Sequence, residues 1–311
     1  MIKEKLNWVD NLKAIGIFAV ILGHIASPFS AFIYSWHMPL FFMLAGFFIK
    51  YEISTKEFIT KDFKRLMLPY FIFAFIGLAL EAIKRVALHR ESLNYLHEIQ
   101  GIFIWMDMPS LINTYGFVLW FLPTLFFARI ILVAINKFVK NIAFQFFIIF
   151  ALFLGSFLIN LPLGIDNALN TLLFLFIGNI YFRFYQENKL FYILPFIVLV
   201  LYFIFGIPSL DVATKNYSNV FINIFFTLGI VYMMIVFLKK INYSNRFLTL
   251  WGGNTMLLFI IHPYTNNIAH IVVEKIHFGD WYLKFIISIV LLQIILFIKQ
   301  KFENRGVFKY V

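Results

Sequence analysis

The chain has 311 residues, of which 62% are hydrophobic and 13% charged, against about 25% charged in an average soluble protein. That balance excludes a soluble globular enzyme and describes an integral membrane protein. It has no cysteine, so disulfides, thiolate metal sites and a cysteine nucleophile are ruled out, although the redox compartment stays open. The net charge of +11 could suit nucleic acid, but the basic residues are scattered between apolar spans, and membrane topology explains them better.

Apolar stretches able to cross about 30 Å of hydrocarbon recur along the chain. Ten are expected, near 12–29, 31–49, 68–88, 116–136, 142–161, 168–185, 190–207, 219–238, 251–273 and 281–299. The first is followed at once by the second with no small-residue cleavage site between them, so it is not a cleaved signal peptide. With the N-terminus cytoplasmic, 20 of the 26 Lys and Arg residues fall on the inner side, including Lys3, Lys5, Arg305 and Lys309 near the ends. Lys84, Arg85, Arg90, Lys215, Lys275 and Lys284 remain outside. The positive-inside rule gives that asymmetry for an even number of spans with both termini cytoplasmic. The expected fold is therefore an all-α, polytopic membrane helix bundle forming one domain over residues 1–311, with no repeat and no appended soluble domain. The longest linker, Arg90 to Tyr115, contains HEIQGIFIWMDMPSLI, which is too short and too interrupted by Pro109 to span, and reads as an interfacial or re-entrant element.

Ionisable residues inside spans are functional candidates by default. In NLKAIGIFAVILGH, Lys13 and His24 are eleven residues apart, so on a helix they share a stripe and lie roughly 16 Å apart along the axis. Lys13 could simply snorkel to the interface. His24 is too deep for that, and its bland alternative is a bond to a neighbouring helix. His37 precedes Pro39 near the outer start of the second span, where a histidine is cheap. Arg65, beside Lys64 and four residues before Pro69, is either plain topology or a phosphate clamp. His262 sits well inside the ninth span, with Asn254 before it and Asn266 and Asn267 after it, and needs a partner or a cavity. His89, His97, His270 and His277 read as solvated or interfacial. No HxxxxD box, GxSxG elbow or metal-ligand cluster occurs.

These motifs, in this order, resemble those of the membrane-bound acyltransferase family 3, the integral membrane O-acyltransferases of bacterial surface polysaccharides. WVDNLKAIGIFAVILGH is similar to the family's opening segment, with Lys13 in place of the more usual Arg and His24 at its end. WHMPLFFMLAGFF, RLMLPY, LWFLPTLF at 119–126 and GNTMLLFIIH at 253–262 are similar to later family segments. The resemblance implies transfer of an acyl group, usually acetyl, from cytoplasmic acetyl-CoA to a sugar hydroxyl of a surface polysaccharide or lipid-linked precursor. It places the protein in a bacterial inner membrane beside envelope polysaccharide assembly machinery.

On that footing imidazole is the natural base, because its pKa lies near the operating pH. His24 is the expected catalytic base or transient acyl carrier, and His262 a second acid/base or orienting group. Lys13, Lys64 and Arg65 are expected to receive the coenzyme's phosphates, and His37, Trp105 and Trp120 to hold the sugar. No metal is expected. A glycan exporter or secondary transporter is the alternative, although no inverted repeat supports it. A purely structural subunit would gain nothing from His24.

Overall fold

A computed structural model describes residues 6–186, 188–241, 243 and 245–302. Of the expected inner cations, Lys3, Lys5, Arg305 and Lys309 lie outside the described residues. The fold is an all-α, polytopic helix bundle. Among the described residues, seven helical stretches are long and apolar enough to cross a membrane: Ser30–Phe47, Thr55–Ala87, Tyr115–Phe138, Pro162–Tyr185, Val220–Ile241, Thr255–Ile276 and Trp281–Phe302. Two shorter apolar helices, Ile142–Gly155 and Lys189–Phe205, coincide with the fifth and seventh expected spans.

The chain opens with α1 (Asn7–Gly23). Its end is the first departure from expectation, because the apolar run was read through to residue 29. The helix stops at Gly23, with His24 as its C-terminal cap, and Pro28 lies in the turn that follows. Short α2 (Ser30–Tyr34) and α3 (His37–Phe47) then return through the bundle. The break between them has a local cause. Pro39 has no N–H to give the carbonyl four residues earlier, and that Ser35 carbonyl instead accepts the Thr227 hydroxyl.

A cap from Ser54 to the Glu57 amide starts α4 (Thr55–Asp62), which passes through a π-turn at Phe63–Met67 into α5 (Leu68–Ala87). The long linker is folded as anticipated, without a span. It holds α6 (Tyr95–Gln100), a π-turn at Gly101–Trp105 and α7 (Met108–Leu111), tied to α5 by the Tyr70 hydroxyl donating to the Ile102 carbonyl at 2.9 Å. A 3-10 turn at Tyr115–Trp120 leads into α8 (Phe121–Phe138), followed by α9 (Ile142–Gly155), α10 (Ile165–Ile180) and α11 (Leu194–Phe205).

Between α11 and α12 (Val220–Ile241) the chain makes a small antiparallel hairpin, β1 (Leu210–Asp211) with β2 (Asn216–Tyr217). It folds back onto the bundle. The Asn167 amide donates to the Ala213 carbonyl, the Tyr217 hydroxyl donates to Asn170, and Lys215 pairs with the Asp166 carboxylate. Burial, together with the nearby Asp211 carboxylate, pushes the Tyr217 phenol above its ordinary pKa, so it stays a neutral donor. The chain closes with α13 (Arg246–Gly253), α14 (Thr255–Ile276) and α15 (Trp281–Phe302).

Packing between helices in lipid relies on close backbone approach rather than on burial from water. The pair α3 and α10 illustrates this: Gly46 meets the Leu175 carbonyl and Gly178 meets the Met43 carbonyl with no room for a side chain. The Asn179 amide donates to the Gly46 carbonyl at 2.8 Å across the same contact. A Cβ at Gly178 would fall 2.6 Å from Met43 Cα, so Gly178→Ala should destabilise the protein by about 1–3 kcal/mol. Gly155→Ala, with nothing among the described residues within 4 Å of the added methyl, should not. Thermal melts of the two variants in detergent test this, and equal melting temperatures would refute the tight crossing. Large side chains such as Phe196, Phe203 and Phe297 face outward, as the high aromatic content of a lipid-exposed surface requires.

Candidate active site

Two cavities of similar size hold most of the expected site residues among the described residues. The first, about 250 Å³, is lined by His24, Tyr34, His37, Trp120, Phe117 and Phe259, by Met108 and Ile112 from the long linker, and by Leu210–Ala213 of the hairpin. His24 is exposed to it. The aromatic ring of Phe117 lies 5.6 Å from the imidazole, that of Tyr34 lies 6.1 Å away, and Tyr34 in turn meets the His37 ring at 5.0 Å, all edge-on.

His262 stands behind His24, with ring centroids 5.1 Å apart, and is fully buried. Its neighbour in sequence explains its orientation. Pro263 lies inside α14 and cannot donate to the Phe259 carbonyl. The Nδ1 of His262 takes that carbonyl at 2.6 Å. A carbonyl only accepts, so the proton sits on Nδ1 and Nε2 carries the lone pair. That Nε2 has no hydrogen-bond partner among the described residues. His37 follows the same logic, with Nδ1 donating to the Ile33 carbonyl at 2.9 Å. A short polar chain ties α14 to α1 and α15: the Asn266 amide donates to the Ile21 carbonyl at 3.1 Å, and the Ser288 hydroxyl donates to Asn266 Oδ1 at 2.7 Å.

The second cavity, about 260 Å³, is lined by Lys13, Arg65 and Arg129 and by apolar side chains including Phe41, Leu44, Leu66, Leu125 and Met256. Lys13 keeps Asp10 at 3.7 Å and lies 5.6 Å from the centre of the Phe48 ring. Arg129 is buried and held twice by Asp62, Nε donating to Oδ2 at 2.6 Å and Nη2 to Oδ1 at 3.4 Å, while Nη1 donates to the Ala45 carbonyl at 3.0 Å. Arg65 is exposed and forms no ion pair with a described residue. Its charge is therefore open to an anion.

The expected site residues divide accordingly. Lys13 and Arg65 share the basic cavity; His24, His37 and Trp120 share the histidine cavity, with His262 behind it. Two of the expected residues lie apart from both cavities. Lys64 faces a separate surface depression with Ser54, Lys56, Thr60 and Lys61, because successive residues on a helical turn project in different directions. Trp105 is not in the cavity wall; it is 37% exposed, since the turn after it reverses at Met106 in the left-handed region, and the linker reaches the cavity through Met108 and Ile112 instead.

Sequence reasoning also missed three residues. Arg129 was counted only as a topology marker, although a guanidinium within a span was signal enough. Asp211 and Tyr34 line the histidine cavity with no sequence signal of their own.

Residues 6–298 match the family model described as an acyltransferase domain. The chain belongs to membrane acyltransferase family 3. The match runs from α1 to α15, so both cavities of this acyltransferase-family protein lie within it. No curated protein and no solved structure matches the chain.

Proposed function

We propose that this membrane acyltransferase is an O-acetyltransferase that moves acetyl from cytoplasmic acetyl-CoA to a sugar hydroxyl of a cell-surface polysaccharide or lipid-linked glycan precursor, in a bacterial inner membrane. The observation that carries this reading is the pairing of a basic cavity with a histidine cavity across one shared wall residue, Phe259. The donor is a multiply charged phosphate ester with a slender apolar arm, and it suits the first cavity: Lys13 and Arg65 meet its phosphates while the apolar walls accommodate the pantetheine. The acceptor suits the second cavity, where Trp120 and Tyr34 offer aromatic faces to a sugar ring and Asp211 offers an acceptor to its hydroxyls.

His24 takes the proton from the attacking hydroxyl as its oxygen adds to the thioester carbonyl. The carbon–sulfur bond then breaks, the new ester keeps the acyl group, and the proton passes from His24 to the departing thiolate. His262 does not open onto the cavity. We read it as a positioning residue, whose buried imidazole, 5.1 Å from His24 between ring centroids, favours the protonated form of that imidazole during the transfer.

Mass spectrometry of the host's surface glycans tests the function, with wild type, a deletion and His24→Ala at matched membrane levels. Loss of the acetyl mass increment in both mutants, with polymer still at the surface, is the expected result. If the polymer left the surface while its acetylation stayed unchanged, the catalytic reading would fall and glycan export would replace it.

A further inference from the structure

Phe259 alone, among the described residues, belongs to the walls of both cavities. Its ring is 6% exposed and packs against Phe121 at 5.2 Å and His262 at 5.7 Å between centroids. Its carbonyl is the one that His262 Nδ1 holds. One residue thus separates the cations from the histidines and also fixes the buried imidazole.

We infer that the Phe259 ring is a movable partition between the donor and acceptor cavities, and that its size limits the length of acyl group transferred. The inference rests on the acyl-transfer reading above. Transfer requires the thioester carbon from one cavity and the hydroxyl oxygen from the other to come within bonding distance, and the two spaces meet at this ring. A phenyl ring turns about two side-chain bonds, and Met256 on one side and Met38 and Met108 on the other are unbranched, adaptable neighbours that can repack around it. An acetyl group needs little of the space that the ring vacates. Each further methylene competes with the ring for that space. The closed ring also keeps water of the histidine cavity from the thioester, where hydrolysis would break the carbon–sulfur bond and release the free acid and the coenzyme thiol without acylating any sugar.

The test uses membrane vesicles carrying the full-length protein and the host's own glycan, supplied with acetyl-CoA or butyryl-CoA. Free thiol release and acyl groups on the glycan are measured for wild type, Phe259→Ala, Phe259→Leu and His24→Ala. Phe259→Ala should raise the butyryl-to-acetyl transfer ratio about tenfold or more, and should release thiol in excess of glycan acylation. Phe259→Leu should move both readouts in the same direction by less, and it carries the test if the alanine variant does not insert. An unchanged ratio together with unchanged excess thiol release, in variants that still transfer acetyl, overturns the partition and leaves the acyltransferase reading standing. Wild-type transfer from both donors no higher than that of His24→Ala overturns both.

Discussion

His24→Ala should lower acyl transfer by about 10²–10⁴-fold, the range that a positioned acid/base contributes, while the protein continues to insert and fold. His24 caps α1 and faces the cavity, so its removal opens no packed core. The informative partner is His262→Asn. Asparagine keeps a donor near the Phe259 carbonyl and removes the Nε2 lone pair, so it separates the loss of that lone pair from the loss of the carbonyl contact. Transfer should fall at least about tenfold if the two imidazoles work as a unit, and the double variant should be little worse than His24→Ala alone, because groups acting together are not additive. A readout of pH dependence separates positioning from simple damage: His262→Asn should shift the rate profile of the remaining activity, whereas a merely structural defect would scale it. Wild-type kinetics in His262→Asn would remove His262 from the mechanism.

The second large effect concerns stability. Asp62→Ala leaves the Arg129 guanidinium buried without its carboxylate, and breaking such a pair from one side costs about 3–5 kcal/mol. Arg129 is 6% exposed and Asp62 7% at their side chains, so water offers little relief. Pairing Asp62→Ala with Arg129→Met removes the orphaned charge, and much of the lost stability should return. The double variant should nonetheless remain poor in transfer, because Arg129 also belongs to the wall of the basic cavity. Melting in detergent and transfer in vesicles read the two consequences separately. If the single and double variants melt alike, the ion pair does not hold this end of the bundle.

How much of this was legible beforehand varies from residue to residue. Helical spacing aligns Lys13 and His24 on one stripe, whereas the structure ends α1 at Gly23 and lines a different cavity with each of them. His262 was marked by its depth in a span, but its tautomer came from the neighbouring Pro263, a signal present in the sequence and only interpretable once the Phe259 carbonyl was known to be vacant. The residues that fall outside both cavities are a different case. Lys64 and Arg65 are adjacent in sequence, and nothing local says which of them a π-turn will aim inward. Trp105 looked like a stacking platform because it is aromatic and in an outer linker, yet its placement depends on a reversal at Met106.

The amino-acid sequence by itself determined that this chain is an all-α protein of the membrane, because the absence of water in hydrocarbon leaves helices as the way for long apolar runs to satisfy their backbone groups. It also supplied the polar residues that would have to be accommodated there, because an ionisable group in a span is costly wherever the span goes. What only the tertiary structure decided is which of those residues meet. Arg129 found Asp62, His24 found His262, and Asp211 reached the histidine cavity through contacts between residues far apart in the chain. Such contacts depend on helix crossings set by small residues such as Gly46 and Gly178, and a crossing is a property of two surfaces that neither segment carries alone.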